Sequence, residues 1–99
     1  MKKVNFLKDP QTKKIVPMSL KKTFEHKGFN FAIILEPMAN HKWYNLIHLE
    51  SGGRVVLVNN DKKTIKNFHE NSIKALDVLI NRIGFQEFAN VLNSQSKIN

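Results

Sequence analysis

The chain contains no cysteine, so neither a disulfide nor a thiolate metal site is open to it. A domain of 99 residues must then be held by its core alone. Long apolar runs are missing as well. The longest, Phe31 to Leu35, has five residues, against the ~20 that a membrane-spanning helix requires. The segment Met1-Lys2-Lys3-Val4-Asn5-Phe6-Leu7-Lys8-Asp9 starts with charge, but no apolar stretch of signal length follows it. These absences point to an unprocessed cytoplasmic protein with no membrane role. Catalytic signatures are also lacking: there is no H-E-x-x-H, no glycine-rich phosphate loop, no G-x-S-x-G and no thiol nucleophile. The four histidines, His26, His41, His48 and His69, match no zinc spacing and read as ordinary surface residues. The carboxylates are few and dispersed, with no evident acid–base pair. The expectation is a protein that is not an enzyme and has no cofactor or metal.

What remains is a folded, lopsidedly charged chain. A hydrophobic share of 41% and a charged share of 24% lie near globular averages, which argues against disorder. The formal net charge is +8. Residues 1–27 hold eight lysines against Asp9 and Glu25, a net of +6, whereas residues 28–60 balance to zero. Such an excess attracts polyanions: nucleic acid, alone or in a nucleoprotein complex, anionic lipid, or an acidic protein surface. Only Arg54 and Arg82 are arginines. Lysine is a point charge rather than the planar fork that reads base edges, so backbone attraction is favoured over sequence readout. The candidate nucleic-acid-binding residues are Lys2, Lys3, Lys8, Lys13, Lys14, Lys21, Lys22 and Lys27, with Trp43 and Tyr44 as candidate stacking groups.

The hydrophobic period divides the chain. Residues 1–17 read as a basic arm or hairpin: Val4 to Leu7 and Ile15-Val16 flank an Asp9-Pro10 turn, and Pro17 ends the unit. Residues 18–93 read as one α+β domain. Met18, Leu20 and Phe24 share one parity, with Lys22 as an exception, and Phe29, Phe31, Ile33 and Leu35 form a second alternating strand that stops at Pro37. Met38 to His41 is a loop, Trp43 to Glu50 a third strand, Ser51-Gly52-Gly53 a turn, and Arg54 to Val58 a last strand. The period then changes to 3.6. Ile65, Phe68, Ser72, Ile73, Leu76, Leu79, Ile80 and Ile83 make one helical stripe, with Asp61 or Thr64 as its cap and Gly84 as its left-handed end. Phe85, Phe88, Ala89 and Leu92 make a second, shorter stripe, and residues 94–99 a polar, fraying tail. The fold class is α+β: an antiparallel meander of three or four strands, over residues 18–58, packed against one long helix plus a short terminal one.

Lys27-Gly28-Phe29-Asn30-Phe31-Ala32-Ile33-Ile34 resembles the ribonucleoprotein octamer K/R-G-F/Y-G/A-F-V-x-F/Y at Lys27, Gly28, Phe29 and Phe31, and departs from it at Asn30, Ala32 and Ile34. The same strand, with Phe24 before it and His48 after it, is similar to cold-shock domains. Either resemblance implies aromatic side chains stacking on bases while lysine holds phosphate. The surroundings differ: no helix precedes the strand, and helices rather than two more strands follow. The other reading of Phe29 and Phe31 is as core residues facing the helix, which leaves the lysine-rich first strand as the binding surface. The segment from Trp43 through Gly52-Gly53 to the Ala75-containing helix resembles small sheet-plus-helix accessory proteins of phages and prophages, and the arm-binding domains of phage integrases. That resemblance implies a noncatalytic nucleic-acid-associated module encoded by a phage or mobile element. The competing class is a protein-binding inhibitor or adaptor, such as a phage-encoded, anti-CRISPR-like blocker of a host-defence complex.

Overall fold

The computed structural model describes residues 2–37, 42–60 and 64–99. Four strands, β1 (Lys3–Asp9), β2 (Lys14–His26), β3 (Phe29–Pro37) and β4 (Lys42–His48), form one antiparallel sheet in the order β1-β2-β3-β4. Two helices follow, α1 (Ile65–Ile83) and α2 (Phe85–Ser94). The chain is thus an α+β meander with one long and one short helix. Its strands begin and end earlier than the period suggests, at residues 3–48 instead of 18–58.

The N-terminal segment is a full member of the sheet, and Pro17 does not end it. Leu20 N–H donates to the Lys2 carbonyl at 2.9 Å. Bonded and non-bonded pairs alternate from there, which puts Pro17 opposite Asn5 at a non-bonded position. Its missing N–H would have pointed away from β1, where β3 contributes no partner before Ser19. Proline costs the ladder nothing at that place.

The irregular parity of Lys22 has a structural cause. The β2–β3 register slips between Leu20 and Lys22, so Lys21 is the extra residue of a β-bulge. A one-residue slip sends everything beyond it to the opposite face. Phe24 therefore packs with Phe31, Ile33 and Leu46 under the helices, while Met18 and Leu20 pack with Phe6, Ala32, Ile34 and Ile47 on the other side. The expectation that Met18, Leu20 and Phe24 share a face is corrected accordingly. Two apolar layers result, and β3 is buried on both faces from Phe31 to Ile34. The bulge turns the first half of β2, with β1, over the second layer. Phe6 is only 1% exposed there, and Lys8 Nζ reaches Glu36 at 3.6 Å.

No strand forms over Arg54 to Val58. The outer edge of β4 is engaged at one bridge, Ile47 to Arg54, and farther along by a side chain. Asn60 Oδ1 accepts from Tyr44 N–H at 3.2 Å and its amide donates to the Tyr44 carbonyl at 3.1 Å, taking the place of a strand partner. Val55, Val56 and Val58 still pack against the helix-side core. The segment before them closes the sheet: Leu7 N–H donates to Gly52 O at 2.8 Å and His48 N–H to Gly53 O at 2.9 Å. Adjacent residues thus bond to β1 and to β4, which leaves neither edge open along that stretch.

Helix α1 starts where Thr64 accepts from Asn67 N–H at 3.1 Å and presents Phe68, Ser72 and Leu76 to the core. The alternative cap, Asp61, and the loop Met38 to His41 lie outside the described residues. Ser72, the one polar member of the stripe, donates to the Phe68 carbonyl at 2.7 Å and so enters the core satisfied. Gly84 separates the helices with φ 87° and ψ 148°, positive in φ as expected but extended instead of left-handed helical. Beyond α2 the tail does not fray. Ile98 and Asn99 N–H donate to the Glu50 carbonyl, Asn99 brackets Asn5 with two hydrogen bonds of 2.9 Å, and Lys97 pairs with Glu50 at 3.2 Å. No described helix is long and apolar enough to cross a membrane.

Candidate nucleic-acid interface

The register gathers the eight N-terminal lysines into two groups and one outlier. Lys3 stands opposite Ser19, the Lys2 carbonyl accepts from Leu20, and Lys21 and Lys22 follow at the bulge. These four form the first group. Lys8, Lys13 and Lys14 form the second, around the β1–β2 turn, with Lys14 opposite Asp9. About six strand steps, roughly 20 Å, separate the groups. Lys27 lies apart in the two-residue β2–β3 turn, where it and Gly28 both take positive φ, the geometry of a type I′ hairpin.

Most of this charge is uncompensated. Lys2, Lys3, Lys13, Lys14, Lys22 and Lys27 are exposed and form no ion pair with a described residue. Lys21 is half-buried at the bulge, and Lys8 is held by Glu36. The nearest acid in the second group, Asp9, is occupied by its own turn. The Thr12 hydroxyl and the Gln11 amide, the latter at 3.0 Å, hold its carboxyl below the ordinary carboxylate value. Lys13, at φ 56°, sits in the left-handed conformation that closes this turn. The field of the first group reaches the helix. His69 packs against Phe24 with ring centroids 4.5 Å apart and the planes tilted by 52°, and burial, then nearby Lys22, hold its pKa below the ordinary imidazole value.

The aromatic candidates part company. Tyr44 lies half-buried on the helix side, 5.5 Å from the Phe68 ring, whereas Trp43, its neighbour on the strand, belongs to the other face and is 38% exposed. The two cannot form one platform. Phe31 is fully buried, and Phe29 meets Phe88 edge-on at 5.7 Å. Phe29 and Phe31 are core residues, and no aromatic platform exists on their strand.

Of the histidines, His41 lies outside the described residues, and His26, His48 and His69 are not surface residues. His26 Nε2 lies 2.7 Å from Asp77 Oδ1, tying β2 to α1. His48 is 4% exposed, 3.0 Å from the Ser51 hydroxyl, and burial holds its imidazole below the ordinary value. Among the described residues no three of His, Cys, Asp and Glu gather as metal ligands. A cation overlooked in the sequence joins the second group: exposed Arg54 lies with its guanidinium 5.8 Å over the Phe6 ring and lines the same cleft as Lys8 and Lys13. Its signal was the Gly52-Gly53 pair before it, which reads as a hairpin turn but positions Arg54 against β1.

Comparison with known proteins finds no matching family model, no matching curated protein and no matching solved structure.

Proposed function

We propose that this chain is a noncatalytic nucleic-acid-associated module that holds phosphate backbones on its N-terminal hairpin. The observation that supports it best is the set of six exposed lysines that form no ion pair with a described residue, although Lys14 lies in the field of Asp9; five of them are on β1, β2 and their connections at the two ends of one hairpin. Lysine ammonium groups displace condensed counterions from a phosphate chain without reading its sequence. With Phe29 and Phe31 in the core and Trp43 and Tyr44 on opposite faces, the described residues offer no paired stacking platform, and the contact is mainly electrostatic.

Fluorescence anisotropy on labelled DNA and RNA, titrated between about 50 and 200 mM salt, tests the reading. Each phosphate neutralised on duplex DNA adds about 0.9 to the slope of log affinity against log salt, so engagement of four to six lysines gives a slope of roughly −4 to −5. Replacing Lys3, Lys13, Lys14 and Lys22 by Gln removes about three to four units of that slope, while Lys66→Gln with Lys74→Gln on the outer face of α1 changes it little. Absence of binding at low salt with micromolar protein defeats the proposal. The competing class, a protein-binding inhibitor docked on an acidic surface, then leads.

A further inference from the structure

The apolar cleft beside the second lysine group is larger than a phosphate contact requires. Its volume is about 380 Å³, at the small end of the range of ligand sites. Phe6 forms the floor, and Leu7, Pro10, Ile15 and Ile98 form apolar walls. Ile15 is 45% exposed at the lip, although it is a β-branched residue in a strand. The charged lining residues are Lys8, which Glu36 holds at 3.6 Å, and Lys13 and Arg54, which form no ion pair with a described residue; no acid lines the cleft itself. Gln95 and Ser96 add neutral polar groups on the side of the tail.

The walls come from four stretches of chain that hydrogen bonds hold in place. Leu7 is bonded to Gly52, Asn5 to Asn99, and Ile98 to Glu50. The cleft is therefore built into the closed end of the sheet and does not depend on one mobile side chain. An apolar cavity whose charges all have one sign favours a ligand with the same two parts: an apolar body for the cavity and an anionic head for the rim. We propose that this cleft binds a small organic anion, a carboxylate or phosphate monoester carried on an apolar body about the size of two fused rings. The cleft shares Lys8 and Lys13 with the lysine surface, but Ile15, Ile98 and Phe6 contribute nothing to phosphate-chain attraction, so changes at its apolar walls separate the two kinds of binding.

A nitrogen-15 NMR titration with 2-naphthoate tests it. The amides of Leu7, Ile15, Gly53 and Ile98 shift together in one saturable process with Kd below about 1 mM. The uncharged 2-naphthalenemethanol binds roughly tenfold more weakly, because it forfeits the charge-assisted contacts. Arg54→Gln and Ile15→Asn each weaken naphthoate binding roughly fivefold or more, with the dispersed spectrum of the folded protein retained. Ile15→Asn also leaves the salt slope of DNA binding unchanged, which separates this site from the lysine surface. Decanoate and adenosine monophosphate then identify the source of the anion, and displacement of naphthoate by either supports the proposal. No saturable shift at those four amides, equal binding of acid and alcohol, or failure of both competitors would overturn it.

Discussion

Gly52→Ala is the most informative single change, because it challenges the closure of the sheet at one atom. Gly52 has φ +68°, a conformation that costs an L-residue about 1 kcal/mol or slightly more. An added Cβ would lie 2.5 Å from Ile98 Cδ1 and 2.7 Å from the Asn5 carbonyl oxygen. The isoleucine tip can swing out, losing part of its burial at about 1 kcal/mol. The Asn5 oxygen cannot, since it belongs to β1 and accepts from the Asn99 amide. Moving it loosens that bond and the one from Leu7 to Gly52, each worth about 1 kcal/mol. The expected loss is about 3–4 kcal/mol out of a total of about 5–10 for a domain of this size. Melting temperature should fall by about 12 °C or more, at some 4–8 °C per kcal/mol. A double-mutant cycle apportions the loss. In an Ile98→Ala background the same glycine change should cost about 1 kcal/mol less, and the remainder is due to backbone strain and to Asn5. Circular-dichroism melts of the four proteins provide the measurement. A Gly52→Ala protein melting within about 3 °C of the parent would show that the tail and β1 do not meet at Gly52.

Leu76 is fully buried at the centre of the helix stripe. Leu76→Asp should abolish the cooperative melt, because an unpaired buried carboxylate costs several kcal/mol, about as much as the whole domain has. Lys13→Glu, in an exposed turn, should move the melting temperature by only about 2–4 °C, and a native-like melt for the Leu76 variant would refute the core assignment. Burial lowers the pKa of His48, and burial with Lys22 lowers that of His69, from 6.5. The unfolded chain then binds more protons near and below that value, so the stability present above about pH 6.5 declines on acidification. Urea midpoints measured from about pH 7.5 to 5.5 should fall, His69→Gln should lessen the fall, and a midpoint that rises across this window would contradict the burial of both rings.

The sequence carried the helices almost residue for residue. The apolar stripe from Ile65 to Ile83 is long, Thr64 and Gly84 mark its ends, and nothing competes with it. The β3 strand was equally clear, because the run Phe31 to Leu35 alternates around a core on both sides. What escaped was decided between elements. A bulge at Lys21 leaves only a parity violation in sequence, which a half-buried strand with one misplaced charge also produces. Pro17 looks like a terminator until its position in the hydrogen-bond alternation is known. Arg54 to Val58 has the composition of a strand, but the β4 edge it would need is taken by the Asn60 amide. The lysines of the candidate site were legible by count. Their grouping followed from pairing register, and the opposite fates of Trp43 and Tyr44 followed from strand alternation across a sheet with two cores.

The crowding of lysines around the hairpin also has a consequence for the unbound protein. Four of them meet at the bulge within two steps of register, and three more share the turn. Like charges that close repel one another in the folded chain and relax on unfolding, so the surface works against its own fold. At about 0.01 M salt the screening length is about 30 Å and the two groups also repel each other; near 0.15 M it is about 8 Å and each group stands alone. Added salt should therefore stabilise the fold while it weakens attachment to a polyanion. A bound polyanion relieves the repulsion directly and raises the melting point by mass action, most of all at low ionic strength.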